Sequence, residues 1–227
     1  SGLVGTDGEK MHAAREAGTL LCGKFIGKVM EKALKTGESN ACMKRIVAAP
    51  TAGSCGVVPA VFLTLEEEKH FTEEKMVEAL YVAAGIGGVI ANRAFLAGAA
   101  GGCQAEIGSA SAMAAGGVAY LMGGDAVQIS HAAALALKNL LGLACDPVAG
   151  LVEVPCVKRN VMGAVNAMTS SDMVMAGITS KIPPDEVIDA MRAIGRSMSE
   201  DIRETGKGGL AGTPTGIAIR ERMAGTL

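Results

Sequence analysis

The apolar residues of this sequence are almost all small or aliphatic, and this restricts the folds that can bury them. Hydrophobic residues make up 49% of the 227 residues, yet aromatic residues make up only 3% and tryptophan is absent. A core must therefore be built from Ala, Val, Leu, Ile and Met, and 31 glycines allow helices to approach one another closely. The sequence shows no convincing alternation of polar and apolar residues, which half-buried strands require. We therefore predict an all-α fold, with residues 1–227 forming a single compact multi-helix domain.

Capping residues and helical periodicity locate the main helices. Thr72 precedes Glu73 and Glu74, whose negative charges suit the positive end of a helix. Asp125 and Gln128 have the spacing of a capping box. The predicted helices cover approximately residues 8–35, 57–68, 72–91, 103 to beyond 113, 125–141 and 183–204.

Composition and charge exclude several classes of protein. The formal net charge is −2 and no run of Lys or Arg is present, which argues against a nucleic-acid partner. The mean hydropathy is +0.34. The most apolar stretches, residues 79–91 and 110–124, are nevertheless shorter than the roughly 20 residues that a membrane-spanning helix needs. Six cysteines without a recognisable signal sequence indicate reduced thiols and a cytoplasmic protein.

Three cysteines, Cys103, Cys145 and Cys156, stand in unusual sequence contexts. They are 42 and 11 residues apart, unlike the closely spaced cysteines of electron-carrier ferredoxins. Free cysteine is also a small, well-buried hydrophobe, and the spacing alone favours that structural interpretation. The alternative is an iron–sulfur cube bound by three thiolates, which would leave one iron open to act as a Lewis acid.

A loop with two hydroxyl groups lies directly before a predicted helix. Thr51, Gly53 and Ser54 are followed by the helix that begins near residue 57, so free backbone N–H groups and a positive helix end face the loop. Such a loop can bind a carboxylate, although an ordinary capped turn has the same pattern. Lys207 and Gly208 form a weaker anion-binding candidate, which is alternatively a simple helix stop.

Several of these segments resemble one known family. Residues 143–160, the segment around Cys103, the loop 50–54 and the tail 204–211 are similar to the iron–sulfur L-serine dehydratases. The closest resemblance is to the alpha, catalytic subunit of the two-subunit bacterial form, and it extends over about residues 1–219. Alpha chains of this family usually carry further helical sequence before the position of Ser1, so we expect that residues 1–227 form the alpha-chain catalytic domain without that N-terminal helical segment.

The resemblance implies a cofactor, a substrate and a reaction. It implies a 4Fe-4S cluster on Cys103, Cys145 and Cys156, and deamination of L-serine to pyruvate and ammonia. Its substrate-binding candidates are Thr51, Gly53, Ser54, Lys207 and Gly208. Pyridoxal phosphate is not expected, because the sequence lacks an alternating α/β pattern and a recognisable lysine segment for that cofactor.

The resemblance also implies a beta subunit of the same enzyme and a hetero- or homo-oligomer. None of the three histidines matches a family motif, so the general base is expected to come from the partner subunit. Two other functions remain open at this point. A related iron–sulfur site could release sulfide from L-cysteine, and a non-catalytic cluster protein could sense redox state or carry electrons.

Overall fold

A computed structural model describes residues 2–225. Ten α-helices are found within these residues. They are α1 (Asp7–Glu16), α2 (Gly23–Ala41), α3 (Val57–Lys69), α4 (Glu73–Arg93), α5 (Gly98–Gly101), α6 (Ser109–Leu121), α7 (Ala126–Lys138), α8 (Cys156–Met175), α9 (Pro184–Ser197) and α10 (Pro214–Ala224). Across residues 2–225 the only β-type pairing is an isolated parallel bridge between Cys145 and Arg203. The predicted all-α class is therefore confirmed.

Helix α6 is the centre of the fold and is buried along almost its whole length. Of its residues, only Tyr120 is not buried, and the helix packs against α3, α4, α7 and α8. Its glycines are required for this packing. A Cβ atom at Gly117 would lie 2.4 Å from the Phe62 ring, and one at Gly116 would lie 2.1 Å from Ile86. The small residues that the composition emphasised are thus placed where helices come closest together.

Helix α8 crosses the same core from the other side. It packs against α2, α3, α6 and α7, and a Cβ atom at Gly163 would lie 2.7 Å from Ile107 and 3.0 Å from Val57. A second, smaller hydrophobic cluster lies where α9 packs on α7 and α4, and it includes Leu137, Val187 and Met191. The part of the chain covered by residues 2–225 has no helix with the length and apolar character to cross a membrane.

The predicted helix starts agree well with the structure. Thr72 accepts a hydrogen bond from the backbone N–H of Lys75 at 3.3 Å. Asp125 and Gln128 form the reciprocal capping box, with side chain to backbone distances of 2.8 and 3.0 Å. Helix α3 begins at Val57 as expected.

Two predicted helix ranges were wrong. The expected helix over residues 8–35 is two helices, because the chain turns between α1 and α2 with Gly18 and Gly23 in left-handed conformations. Glu31 of α2 then accepts a hydrogen bond from Arg15 at 2.9 Å, which ties the two helices together. The helix expected to run towards residue 204 ends at Ser197, where the chain becomes extended at Met198.

Candidate active site

Cys103 lies in a break between two helices. Gly102 precedes it with φ of 77°, and the chain then forms a π-helix over Gln104–Gly108 before α6 begins. The side chain of Gln104 is buried, donates to the carbonyl of Met191 at 3.0 Å and accepts from the N–H of Gly142 at 2.9 Å. These bonds fix the Cys103 turn against the segment that leads to Cys145. A π-helix is a common feature of functional sites.

Cys145 is fixed by a distant part of the chain. Its N–H donates to the carbonyl of Ile202 at 2.9 Å, and its carbonyl accepts from the N–H of Glu204 at 2.7 Å. Cys156 is the first residue of α8. Between the two cysteines the loop folds back, and the N–H of Val148 donates to the carbonyl of Val154 at 2.9 Å. The turn predicted between these cysteines is therefore confirmed.

The structure brings the three cysteines into one buried pocket. None of them is in a disulfide. Burial raises the pKa of Cys103 to about 12 and that of Cys156 to about 11. The pKa of Cys145 is also raised, first by burial and then by repulsion from the other two sulfurs and from Glu106. Because these charges affect one another, the thiol pocket (Cys103, Cys145, Cys156 and Glu106) is a single electrostatic environment.

One arginine supplies positive charge to this pocket. Arg159, on the first turn of α8, lies close enough to Cys103 for its positive charge to lower the pKa of this thiol against the larger effect of burial. The guanidinium also donates to the carbonyl of Ala144 at 2.6 Å and pairs with Asp146 at 2.9 Å. Arg159 therefore fixes the residues on both sides of Cys145. Sequence analysis did not single it out.

The Thr51 loop, residues 49–56, lies beside Glu106. The hydroxyl of Thr51 donates to Glu106 Oε1 at 2.7 Å, and Thr51 and Ser54 form a capping box with Thr51 N–H to Ser54 Oγ at 3.3 Å. The capped turn expected from the sequence is therefore present. Within the described residues, the backbone N–H groups of Ala52 and Gly53 have no acceptor, so they are available to a ligand.

Glu106 lies between the Thr51 loop and Cys145. Its Oε2 is 4.0 Å from the Cys145 sulfur. A Cβ atom at Gly53 or at Gly98 would lie 3.0 Å from a carboxylate oxygen of Glu106, so the two glycines pack closely against this carboxylate and a larger residue at either position would displace it. Burial raises the pKa of Glu106, the Thr51 hydrogen bond lowers it, and the nearby charge of Glu204 raises it again.

Asn160 connects the Thr51 loop to the first turn of α8. Its Nδ2 donates to the carbonyls of Gly53 at 2.8 Å and Cys156 at 2.9 Å, and its Oδ1 accepts from the N–H of Gly56 at 2.8 Å. Asn160 was within the recognised segment but was not identified as a site residue. A signal existed, because residues four apart on a helix share a face, and Asn160 follows Cys156 by four.

The remaining candidates are placed differently. Lys207 is exposed, and its side chain makes no hydrogen bond or ion pair within residues 2–225. Gly208 donates to the carbonyl of Asp201 at 2.9 Å, and the turn that follows rests on Asp146, which accepts from the N–H of Leu210 at 2.8 Å. This turn therefore contacts the neighbour of Cys145 and not the Thr51 loop.

The other three cysteines are separate from the pocket. Cys22 and Cys42 are exposed, whereas Cys55 is buried at the end of the Thr51 loop. The described residues contain no group of three His, Cys, Asp or Glu side chains placed to hold a single metal ion. A cluster with several irons needs more widely spaced sulfurs, since each thiolate binds a different iron. The cluster assignment thus remains a prediction.

Fold and pocket together define an all-helical protein with a buried site lined by thiols and one carboxylate beside a capped loop. A family described as "Serine dehydratase alpha chain" matches residues 1–211, and the chain belongs to this family. It is 53% identical to a protein of Bacillus subtilis (strain 168) named "Probable L-serine dehydratase, alpha chain". That match covers 99% of this chain and 75% of the relative.

Two further relatives show the range of the family. The chain is 49% identical to the "L-serine dehydratase, alpha chain" of Peptoniphilus asaccharolyticus, over 90% of this chain and 70% of that protein. It is 41% identical to "L-serine dehydratase TdcG" of Escherichia coli (strain K12), where 79% of this chain matches 40% of a longer protein.

Proposed function

We propose that this chain is the catalytic alpha subunit of an enzyme that deaminates L-serine to pyruvate and ammonia in the cytoplasm. The observation that carries the proposal is the meeting of three unpaired, buried thiols from three separate segments beside the Thr51 loop. The names of the relatives support the substrate and the reaction.

The residues of the thiol pocket fit an iron–sulfur cluster. Cys103, Cys145 and Cys156 would hold it, since soft thiolate ligands favour iron–sulfur clusters over hard cations. Their raised pKa values mean that the thiols release protons when they bind metal. When bound, a 4Fe-4S cluster with three protein ligands supplies one open iron as a Lewis acid for the serine hydroxyl.

The chain's own residues bind and orient the substrate. The free N–H groups of Ala52 and Gly53 bind the serine carboxylate. Thr51 and Ser54 support that substrate contact by holding the loop in its capped conformation, with Ser54 fully buried and the Thr51 hydroxyl donating to Glu106. Lys207 and Gly208 belong to the turn that rests on Asp146, away from the Thr51 loop, and would supply a separate substrate contact.

The reaction removes the α-proton and expels hydroxide from the β-carbon. The resulting aminoacrylate rearranges to an imine, and water releases pyruvate and ammonium. We assign the general base to a beta subunit. The term "alpha chain" in the names of relatives and the longer Escherichia coli relative support a second polypeptide segment in the active enzyme.

Anaerobic reconstitution with iron and sulfide in the presence of the beta subunit tests the proposal. Pyruvate release from L-serine and from L-cysteine is measured in parallel. Release from L-serine supports the proposal, whereas preferential release from L-cysteine would make the enzyme a cysteine desulfidase. A bound cluster that is reversibly reduced without any pyruvate release would instead indicate a redox protein.

A further inference from the structure

Glu106 is a largely buried carboxylate without a basic partner. Its side chain contacts the hydroxyl of Thr51 and the thiol of Cys145, and within residues 2–225 it forms no ion pair. Two other buried carboxylates each have a basic partner. Glu31 pairs with Arg15 at 2.9 Å, and Asp146 pairs with Arg159 at 2.9 Å.

The surroundings of Glu106 add negative charge, because the carboxylate of Glu204 lies close enough to raise the pKa of Glu106. Arg159, the cation that acts on Cys103, is already bound to Asp146 and to the carbonyl of Ala144. A buried carboxylate is costly unless a cation compensates it. The site therefore favours a positively charged ligand group at Glu106.

A ligand can still reach Glu106, because this residue is only partly buried. Gly53 on the Thr51 loop and Gly98 at the start of α5 pack closely against its carboxylate, so the approach is from the remaining exposed side. The Thr51 hydrogen bond fixes the Oε1 side at 2.7 Å. The carboxylate is thus held in place while part of its surface stays uncovered.

We infer that Glu106 binds the α-ammonium group of the amino-acid substrate and selects amino acids over hydroxy acids. The inference rests on the proposed function, because it takes the substrate carboxylate to lie on the Thr51 loop. The negative charge of Glu106 repels that carboxylate and attracts the ammonium group. Together the Thr51 loop and Glu106 determine the orientation of the bound substrate.

The test compares L-alanine with L-lactate. Neither carries a β-hydroxyl that can be eliminated, and they differ only in an ammonium group against a hydroxyl group. Their dissociation constants are measured by anaerobic ligand-observed NMR titration of the reconstituted complex with the beta subunit. We expect the wild-type protein to prefer L-alanine by at least about tenfold, since hydrogen bonds to charged groups contribute strongly.

Glu106→Gln removes the charge but leaves an amide oxygen that still accepts from Thr51. We expect this variant to bind L-alanine roughly 10- to 100-fold more weakly and L-lactate with little change. Glu106→Asp retains the charge on a shorter side chain, so an intermediate preference is expected. This second variant decides the question if the Gln variant loses iron or fails to fold.

Glu204→Gln is the matched control, because it removes a neighbouring exposed charge without touching Thr51. We expect it to change the preference by less than about threefold. If Glu204→Gln weakened the preference for L-alanine as much as Glu106→Gln does, the effect would come from the overall negative charge of the site and not from a contact with Glu106. That result would overturn the inference. An unchanged preference in both Glu106 variants would also overturn it, while pyruvate release by the wild type leaves the proposed function intact. A wild-type complex that neither binds L-alanine nor releases pyruvate from L-serine would refute both.

Discussion

The helical core around α6 and the thiol pocket are both buried, but they are built on opposite principles. The core consists of small and aliphatic residues in regular helices, with glycines at the closest contacts. The pocket is assembled from helix ends, a π-helix and loops, and its side chains are polar or ionisable. Close packing of side chains fixes the arrangement of the core, whereas individual hydrogen bonds fix the positions of the residues in the pocket.

Helix α8 belongs to both regions and makes the comparison direct. Its first turn carries Cys156, Arg159 and Asn160, which face the pocket. Further along the helix, Gly163 and Asn166 contribute to the core. There the side chain of Asn166 donates to the hydroxyl of Ser111 and to the carbonyl of Ala136, both at 2.8 Å. Substitutions along one helix should therefore separate catalysis from stability.

The largest effect is expected at the cysteines of the pocket. Cys145→Ala should abolish both bound iron and pyruvate formation, because it removes one of the three proposed thiolate ligands. Iron per chain after anaerobic reconstitution measures the first effect. Cys22→Ala is the control, since Cys22 is exposed, and it should retain both. Full iron retention in the Cys145→Ala protein would contradict the assignment.

The next effect is expected in the Thr51 loop. The double change Thr51→Ala with Ser54→Ala should lower kcat/KM for L-serine roughly ten- to hundredfold, because hydrogen bonds at a charged group contribute about 1.5–3 kcal/mol. Cluster absorbance and helix content should stay unchanged. If this variant kept the wild-type kcat/KM, the Thr51 loop would be only a capped turn with no role in substrate binding.

A smaller but more selective effect is expected from the two asparagines of α8. Asn160→Ala leaves the N–H of Gly56 and the carbonyl of Gly53 unpaired. It should lower the free energy of unfolding by about 1–3 kcal/mol and raise KM for L-serine. Asn166→Ala should cause a similar loss of stability with KM unchanged. Equal KM values in the two variants would show that substitutions in the pocket and in the core do not differ in their effect on substrate binding.

The smallest effects concern packing alone. Gly163→Val should lower the free energy of unfolding by about 1–3 kcal/mol, because its side chain would overlap Ile107 and Val57. Gly88→Ala on the exposed face of α4 meets no atom within 4 Å and should raise it by up to about 1 kcal/mol. Urea unfolding followed by circular dichroism measures both. Neither change should alter bound iron.

The two regions also differ in how much the sequence reveals. Helix class, the Thr72 cap and the Asp125 box could be predicted because they depend on residues a few positions apart. The turn between α1 and α2 was not predicted, because the helical pattern of the sequence continues on both sides of Gly18. Local spacing carries little information about which residues bend the chain within a helical segment.

The pocket depends on contacts between residues distant in the chain. Residue spacing left the role of the three cysteines and of the Thr51 loop open, and only the family resemblance favoured a functional site. Neither Arg159 nor the bond from Thr51 to Glu106, which joins residues 55 positions apart, follows from spacing. Such pairings depend on how helices dock, and a single sequence does not specify that geometry.

The bridge between Cys145 and Arg203 has a consequence for synthesis of the chain on the ribosome. The backbone partners of Cys145 are Ile202 and Glu204, so its segment stays unpaired until residue 204 has been translated. Helices α2 to α8 can dock while the polypeptide is still emerging, but the pocket closes only afterwards. A ribosome stalled before residue 202 would therefore hold a nascent chain with an incomplete site.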